Sequence, residues 1–503
     1  MKTKAKKLVT LILTALLVLS ILPMNVFAAQ RKVTASSNAS ITINNAVEND
    51  VLAAYKVVDI AYNAANNTLS YAWNSAFTDY FAGTTTFNST AKTVEQFDAL
   101  NDDSDELKTL LAGLPSYIAN RTIAPVDTRT VTADKTATFA DLAMGEYFIR
   151  PTSTTSVYQL MLQKVEPTVA EVDGKQTYVI EDVTFSAKHK EVSVGKTANK
   201  TSVTKNEKVT YTIMVDIPTY ASQATDKSFY VADRLPDGLT LDAGSIKVAR
   251  NGTDITDAAG TQYTLNAMAT AEYTFKLSVS TLQYTDNWSA NGGKQLVITY
   301  TATLNNNDTT AVNTKETNTV TFDYSNYPYV DDPHESKTAT VDVTTFTIKI
   351  DKYVDGESTT KLAGAKFDLY RTVYPGEAGG VLIPHTLVQG IKLEADKVTD
   401  TDGVATFEKY EANGDRYDYY LVETQAPSGY NLLDNAVKVN FTDADVEGTA
   451  GIFTVEVSNS SGIKLPITGG TGTVIFTIIG IALMVGAVVL FVVSRKKSAK
   501  ESK

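Results

Sequence analysis

The chain of 503 residues contains no cysteine, only three histidines and two tryptophans, and fewer basic than acidic side chains. Without cysteine there can be no disulfide, no thiolate metal site and no thiol nucleophile. Any covalent reinforcement must come from other chemistry. His189, His334 and His385 stand far apart in sequence, so neither a histidine metal site nor a Ser/His/Asp arrangement is expected from them. The net charge is -12 and no basic stripe is visible, which argues against a nucleic-acid partner. The cluster Asp102, Asp103, Asp105, Glu106 lacks the loop glycine and distal glutamate of a calcium loop and reads as a solvated helix start. No metal, no cofactor and no enzymatic turnover are expected.

What is present is concentrated at the two ends. Lys2, Lys4, Lys6 and Lys7 precede an apolar stretch from Leu8 to Leu22 and small residues at Ala28 and Ala29. That order reads as a secretory signal peptide over residues 1–29. At the other end Leu465-Pro466-Ile467-Thr468-Gly469 is followed by an apolar run from Val474 to Val493 and then Arg495, Lys496, Lys497, Lys500 and Lys503. Twenty residues at about 1.5 Å each span about 30 Å, the thickness of a bilayer core, and the basic tail holds their far end in the cytoplasm. Residues 464–503 thus resemble the cell-wall sorting signal of Gram-positive surface proteins. That resemblance implies sortase as a partner, attack at the Thr468 carbonyl, and transfer of the acyl group to an amine on peptidoglycan or on another subunit.

Removing both ends leaves about 435 residues, enough for three domains. Residues 30–190 read as a β-sandwich with a small helical insertion. Thr42–Asn44 and Val51–Ile60 have strand character, Thr138–Ile149 repeats it around a turn at Gly145, and Thr93–Leu100 and Asp105–Ile118 have helical spacing. Residues 191–344 carry strand-length runs at Val209–Val215, Phe229–Ala232, Tyr273–Val279 and Leu296–Leu304, with turns at Pro236-Asp237-Gly238 and Asn291-Gly292-Gly293. Residues 345–463 open on Thr347–Lys352, turn at Asp402-Gly403 and close on Phe453–Val457. The expected fold is mainly β: tandem Ig-like or prealbumin-like sandwiches plus a C-terminal transmembrane helix.

The segments Leu362-Ala363-Gly364-Ala365-Lys366-Phe367 and Glu423-Thr424-Gln425-Ala426-Pro427-Ser428-Gly429-Tyr430 resemble the prealbumin-like B-type repeat of collagen adhesins and pilins. The middle domain is more loosely similar to the companion domain of major pilins, through Lys196-Thr197, Val231-Ala232-Asp233 and Asn318-Thr319-Val320. Alternation along the opening strand puts Ile348, Ile350 and Lys352 on one face, which turns the Lys352 amine inward. Burial favours a neutral amine and a protonated carboxyl. The resemblance implies that Lys352 and Asn459 form an isopeptide bond with Glu423 as the proton-shuttling acid, in a single turnover. The same logic gives Lys196, Asp233 and Asn318 in the middle domain, where Lys200 and Asn313 are rivals. In the first domain Gly145–Ile149 resembles the repeat, but no lysine occupies an opening strand, and no bond is expected there.

Major pilins also carry a lysine at the end of the first domain that accepts the acyl group of the next subunit. Asp182-Val183-Thr184-Phe185-Ser186-Ala187-Lys188 resembles that motif by position, with Ser186-Ala187 where the family has Tyr-Pro and His189 where it has Asn. Lys188 fits by register and Lys190 is its rival. The implied protein is a major subunit of a covalent, wall-anchored surface pilus. Its partners would be sortase, identical subunits, minor pilins, peptidoglycan and, where one exists, a host surface ligand. The alternative is a monomeric wall-anchored adhesin or a minor pilin.

Overall fold

The computed structural model describes residues 30–498, apart from 102–103, 256–258, 306–314, 331–333, 415, 446–450 and 463–470. The expected signal peptide, the Leu465–Gly469 motif, Asn313, Asp102 and Asp103 lie outside the described residues. The described residues form two compact units: 30–201 with 205–305 and 315–343, and 202–204 with 344–498. The first unit therefore contains most of both the first and the second expected domain.

In its first part, the strand Val51–Asn63 pairs antiparallel with Thr68–Trp73 and with Gly145–Ser153. A second sheet has Asn38–Asn44 at its centre, antiparallel to Ala137–Ala143 and parallel to Val183–Ser186. Leu52, Val57, Phe139, Phe148 and Ile41 meet in the core between them. Gly145 does not make the expected turn; it opens a strand. Glycine is needed there because a Cβ would lie 2.5 Å from the Val58 carbonyl oxygen and would also meet the Lys56 side chain.

The helical insertion is present as Val94–Asp98 and Asp105–Arg121. Thr93 caps the first by accepting from the Gln96 amide while Gln96 returns a bond to the Thr93 backbone, and Ser104 caps the second. Leu107, Leu110, Leu111, Leu114 and Ile118 recur at helical spacing and are buried against the sheets. A further four-residue helix, Thr78–Phe81, is too short to show a period in the sequence.

The second part of this unit is two five-stranded antiparallel sheets. One contains Val194–Ala198, Lys208–Asp216, Gln295–Leu304 and Leu239–Arg250; the other contains Phe275–Val279, Phe229–Arg234, Lys315–Ser325 and His334–Thr344. Alternate residues of Lys208–Asp216 and Gln295–Leu304 are buried without interruption, as a sandwich face requires.

The second unit packs a four-stranded sheet around Phe346–Val354 against a five-stranded sheet around Lys366–Thr372. Its first and last strands, Phe346–Val354 and Ile452–Asn459, are parallel neighbours, with Val354 opposite Asn459. The last described element is a helix, Thr471–Ser498. The expected spanning run falls in it, but its side chains are described only over 477–490, and among the described residues no helix is long and apolar enough to cross a membrane.

Candidate functional site

In the second unit the core face of Phe346–Val354 carries Ile348, Ile350 and Lys352 inward, and Lys352 is completely buried. Gly403 makes room for this strand: the Lys352 amide donates to its carbonyl at 2.8 Å, and a Cβ at 403 would strike the Lys352 carbonyl oxygen. From the facing sheet, Tyr419–Gln425 projects Glu423, also buried, so that its Oε1 lies 3.4 Å from Lys352 Nζ. Asn459 Nδ2 donates to Glu423 Oε2 at 2.9 Å and to the Asn431 carbonyl at 2.5 Å. The Leu433 amide also donates to Glu423 Oε2, at 2.9 Å, fixing the carboxyl. Burial holds the Lys352 amine below its usual range, against the opposing pull of Glu423. Asn459 Oδ1 has no hydrogen-bond partner. Lys352, Glu423 and Asn459 are thus brought together, with an unsolvated amine beside a carboxamide whose nitrogen is held by the acid.

Lys196, Asp233 and Asn318 are also brought together, by a different geometry. Lys196 comes from one sheet, and Asp233 and Asn318 from neighbouring strands of the other. Lys196 Nζ contacts Asp233 Oδ2, with both side chains wholly buried. Burial pulls the Lys196 amine down to about 8 despite Asp233, and raises Asp233 despite Lys196. Both directions favour the uncharged pair. Lys200 is not part of this group; it pairs with Glu207 at 3.1 Å.

Sequence reasoning missed Tyr300. It lies on the buried face of Gln295–Leu304, between Ile298 and Ala302, and its hydroxyl meets all three residues. The available signal was a polar-tipped aromatic on an otherwise apolar strand face, which must find a partner for its hydroxyl when buried.

Distance in sequence did not keep His334 from an acid and a hydroxyl: its Nδ1 lies 2.5 Å from Asp323 Oδ1, and its Nε2 lies 2.8 Å from Asp226 Oδ2 and 3.3 Å from Ser228 Oγ. The arrangement is a clasp and does not have the form of a serine nucleophile with a free base. Both ring nitrogens face carboxylates, and the Ser228 hydroxyl donates to Asp226 Oδ1 at 2.7 Å. Hydrogen bonds to Asp226 and Asp323 outweigh burial and raise His334 from 6.5 to about 9. Burial opposes ionisation of both acids, but bonds from His334 and the serines hold them below the usual carboxylate range. A raised folded-state value stabilises below about pH 6.5 and loses that contribution as pH rises through about 9. His334→Gln is therefore expected to lower the melting temperature at pH 6 and to approach the native value above pH 9. An equal deficit at both pH values would contradict the clasp.

Lys188 follows Val183–Ser186, the strand that lies parallel to Asn38–Asn44. The Ala187 amide donates to the Asn44 carbonyl at 2.8 Å, and Asn45 Nδ2 donates to the Ala187 carbonyl at 3.1 Å, so the backbone before Lys188 is pinned. Its side chain is exposed and lines a cleft of about 560 Å³ with Leu107, Leu111, Met161, Phe185 and Tyr329. Lys190, also exposed, runs instead toward Gly293.

Comparison with known proteins gives three domain matches along the chain. Residues 206–328 match the Cna-B-like domain of Gram-positive pilin backbone subunit 2, residues 346–455 a prealbumin-like fold domain, and residues 457–500 the LPXTG cell wall anchor motif. The chain is 28% identical over 341 residues to fimbrial subunit type 1 of Actinomyces viscosus, a match covering 58% of this chain and 62% of that protein. It is 26% identical over 403 residues to the trypsin-resistant surface T6 protein of Streptococcus pyogenes, covering 65% of this chain and 73% of that one. The solved T6 backbone pilin of serotype M6 Streptococcus pyogenes has the same fold, with a TM-score of 0.57 at 16% identity over 86% of this chain and all of that one. The anchor motif makes this a cell-wall surface protein. Pilin-backbone, prealbumin-like and anchor segments thus follow one another along the chain, which is similar to backbone pilins of Gram-positive bacteria.

Proposed function

We propose that the protein is the repeating structural subunit of a covalent surface pilus. Sortase cleaves after Thr468 and joins its carboxyl to Lys188 of the next copy, and the last subunit is joined to peptidoglycan. Joining one end of each copy to a site near the other end of its neighbour is a heterologous contact, and its repetition gives an open fibre. In this reading residues 474–493 hold the precursor in the membrane until cleavage, after a signal peptide over 1–29 has directed export. Minor pilins and a host ligand would be partners of the finished fibre.

The observation that carries the reading is the placement of Lys188: an exposed amine on a pinned backbone, at the edge of a cleft of mixed polar and apolar lining. An acceptor must be reached by an enzyme-bound acyl group, whereas the buried Lys196 and Lys352 are out of reach. Within the subunit, the proposed Lys196–Asn318 and Lys352–Asn459 bonds reinforce domains that have no disulfides. Each forms as the amine attacks the amide carbon and ammonia leaves.

The test is a denaturing immunoblot of wall extracts from cells making the native chain, Lys188→Ala or Lys190→Ala. A ladder of multimers that collapses only with Lys188→Ala is the expected result. A single wall-linked band in all three would retire the shaft role and favour a monomeric adhesin.

A further inference from the structure

The two buried triads differ in how the acid reaches the amide. In the second unit Glu423 accepts directly from Asn459 at 2.9 Å, and the aromatic neighbour of Lys352 is Phe367, with no hydroxyl to offer. In the middle domain the acid is an aspartate, one methylene shorter, and Asn318 donates instead to the Tyr300 hydroxyl at 2.7 Å. Tyr300 in turn donates to Asp233 Oδ1 at 2.8 Å and accepts from Lys196 Nζ at 3.0 Å. One donation and two acceptances use the full capacity of a hydroxyl. We infer that Tyr300 is a catalytic residue of the Lys196–Asn318 cross-link, passing a proton between Asp233 and the leaving nitrogen of Asn318. This rests on the reading that those two residues become joined.

The proton balance follows from the contacts. The pair starts uncharged, as Lys196 amine and Asp233 carboxylic acid. Nζ attacks Asn318 Cγ, and the new bond makes Nζ acidic; its proton passes to Asp233 Oδ2. The Tyr300 hydroxyl turns from Asp233 Oδ1 toward Asn318 Nδ2; Asp233 then releases its original proton from Oδ1 to the Tyr300 oxygen as Tyr300 gives its own hydroxyl proton to Asn318 Nδ2. The Cγ–Nδ2 bond then breaks and ammonia departs. One proton has moved from Nζ to Nδ2, Asp233 and Tyr300 are regenerated, and the bonds that served the resting state have been reversed in direction. Burial lifts the Tyr300 phenol well above its usual range, so it stays a neutral hydroxyl able to accept and donate together. The ring is fixed by stacking on Tyr211, with centroids 5.4 Å apart, and by the edge of Phe275 at 5.0 Å.

The experiment follows closure of both bonds in newly synthesised full-length chains, pulse-labelled and quenched in denaturant at intervals, with cross-linked peptides measured by mass. Tyr300→Phe is expected to slow the 196–318 bond by about 10² to 10⁴-fold, the usual worth of a positioned acid–base group, while the 352–459 bond closes at the native rate. The second bond reports folding in the same molecules. A ring-fluorinated tyrosine at position 300 keeps the hydroxyl and the packing but is more acidic. A relay changes the 196–318 rate with that acidity, and a hydroxyl that only supports its neighbours does not; this variant decides if Tyr300→Phe fails to fold. An unchanged 196–318 rate in either variant overturns the relay and leaves the cross-link standing. Native chains that never expel ammonia at 196–318 overturn the cross-link, and the relay with it.

Discussion

Glu423→Gln is expected to leave the native-like second unit with its Lys352–Asn459 bond unmade, so that intact mass shows one ammonia retained where the native chain has lost it. Glutamine keeps the shape and can still hydrogen-bond the Asn459 amide, but it cannot take the amine's proton or return one to the leaving nitrogen. The stability effect should be large. The bond closes a loop of roughly 107 residues, for which the chain-entropy relation derived for disulfides gives about 4 to 5 kcal/mol. For a domain of this size that corresponds to about 20 °C or more in melting temperature. The buried amine also remains unconverted beside a group that no longer neutralises it, which adds to the loss. Lys352→Met removes the bond without leaving an unpaired amine, so comparing the two variants separates the cross-link from the stranded charge. A native chain with full mass, or a melting temperature unmoved in both variants, would rule out this bond.

The second large effect is mechanical. When the chain is pulled from its ends, each cross-link diverts force from the sheet's hydrogen bonds into a covalent bond, and the residues between its partners stay hidden. Those intervals run from Lys196 to Asn318 and from Lys352 to Asn459, some 229 residues in all. At about 3.3 Å per extended residue they amount to roughly 750 Å. In single-molecule pulling, the native chain is expected to release none of this length. Asn318→Ala with Asn459→Ala is expected to release all of it, as two steps, because each truncation removes the carbon that the amine attacks. Equal extension in the native and doubly substituted chains would show that neither bond carries force. The direction of the effect is independent of domain stability, so it distinguishes a covalent stop from a merely tighter sandwich.

The two triads also show why some of the site was readable and some was not. Lys352 was legible because strand alternation couples it to Ile348 and Ile350: two apolar residues on one face fix where the third side chain points. Lys196 followed in the same way from its strand, although Lys200 stood close enough in sequence to compete. Tyr300 was not legible. It is a tyrosine among many, and what sets it apart is the meeting of two sheets, with Lys196 on its own sheet and Asp233 and Asn318 on the facing one. The contact between those sheets has no local sequence signature. Gly145 is a related case: the sequence marks a glycine, but only the neighbouring Val58 carbonyl shows that the need is for space and not for a turn.

From the sequence alone came the β class, the helical insertion, the anchor motif and the inward lysines, because each depends on period or residue type over a short span. Only the tertiary structure decided that His334 is locked between two aspartates, that Lys188 and not Lys190 faces a cleft, and that one cross-link would join neighbouring strands while the other would bridge two sheets. Those outcomes depend on distances between side chains that are remote in sequence. Packing sets such distances, and local pattern does not encode them.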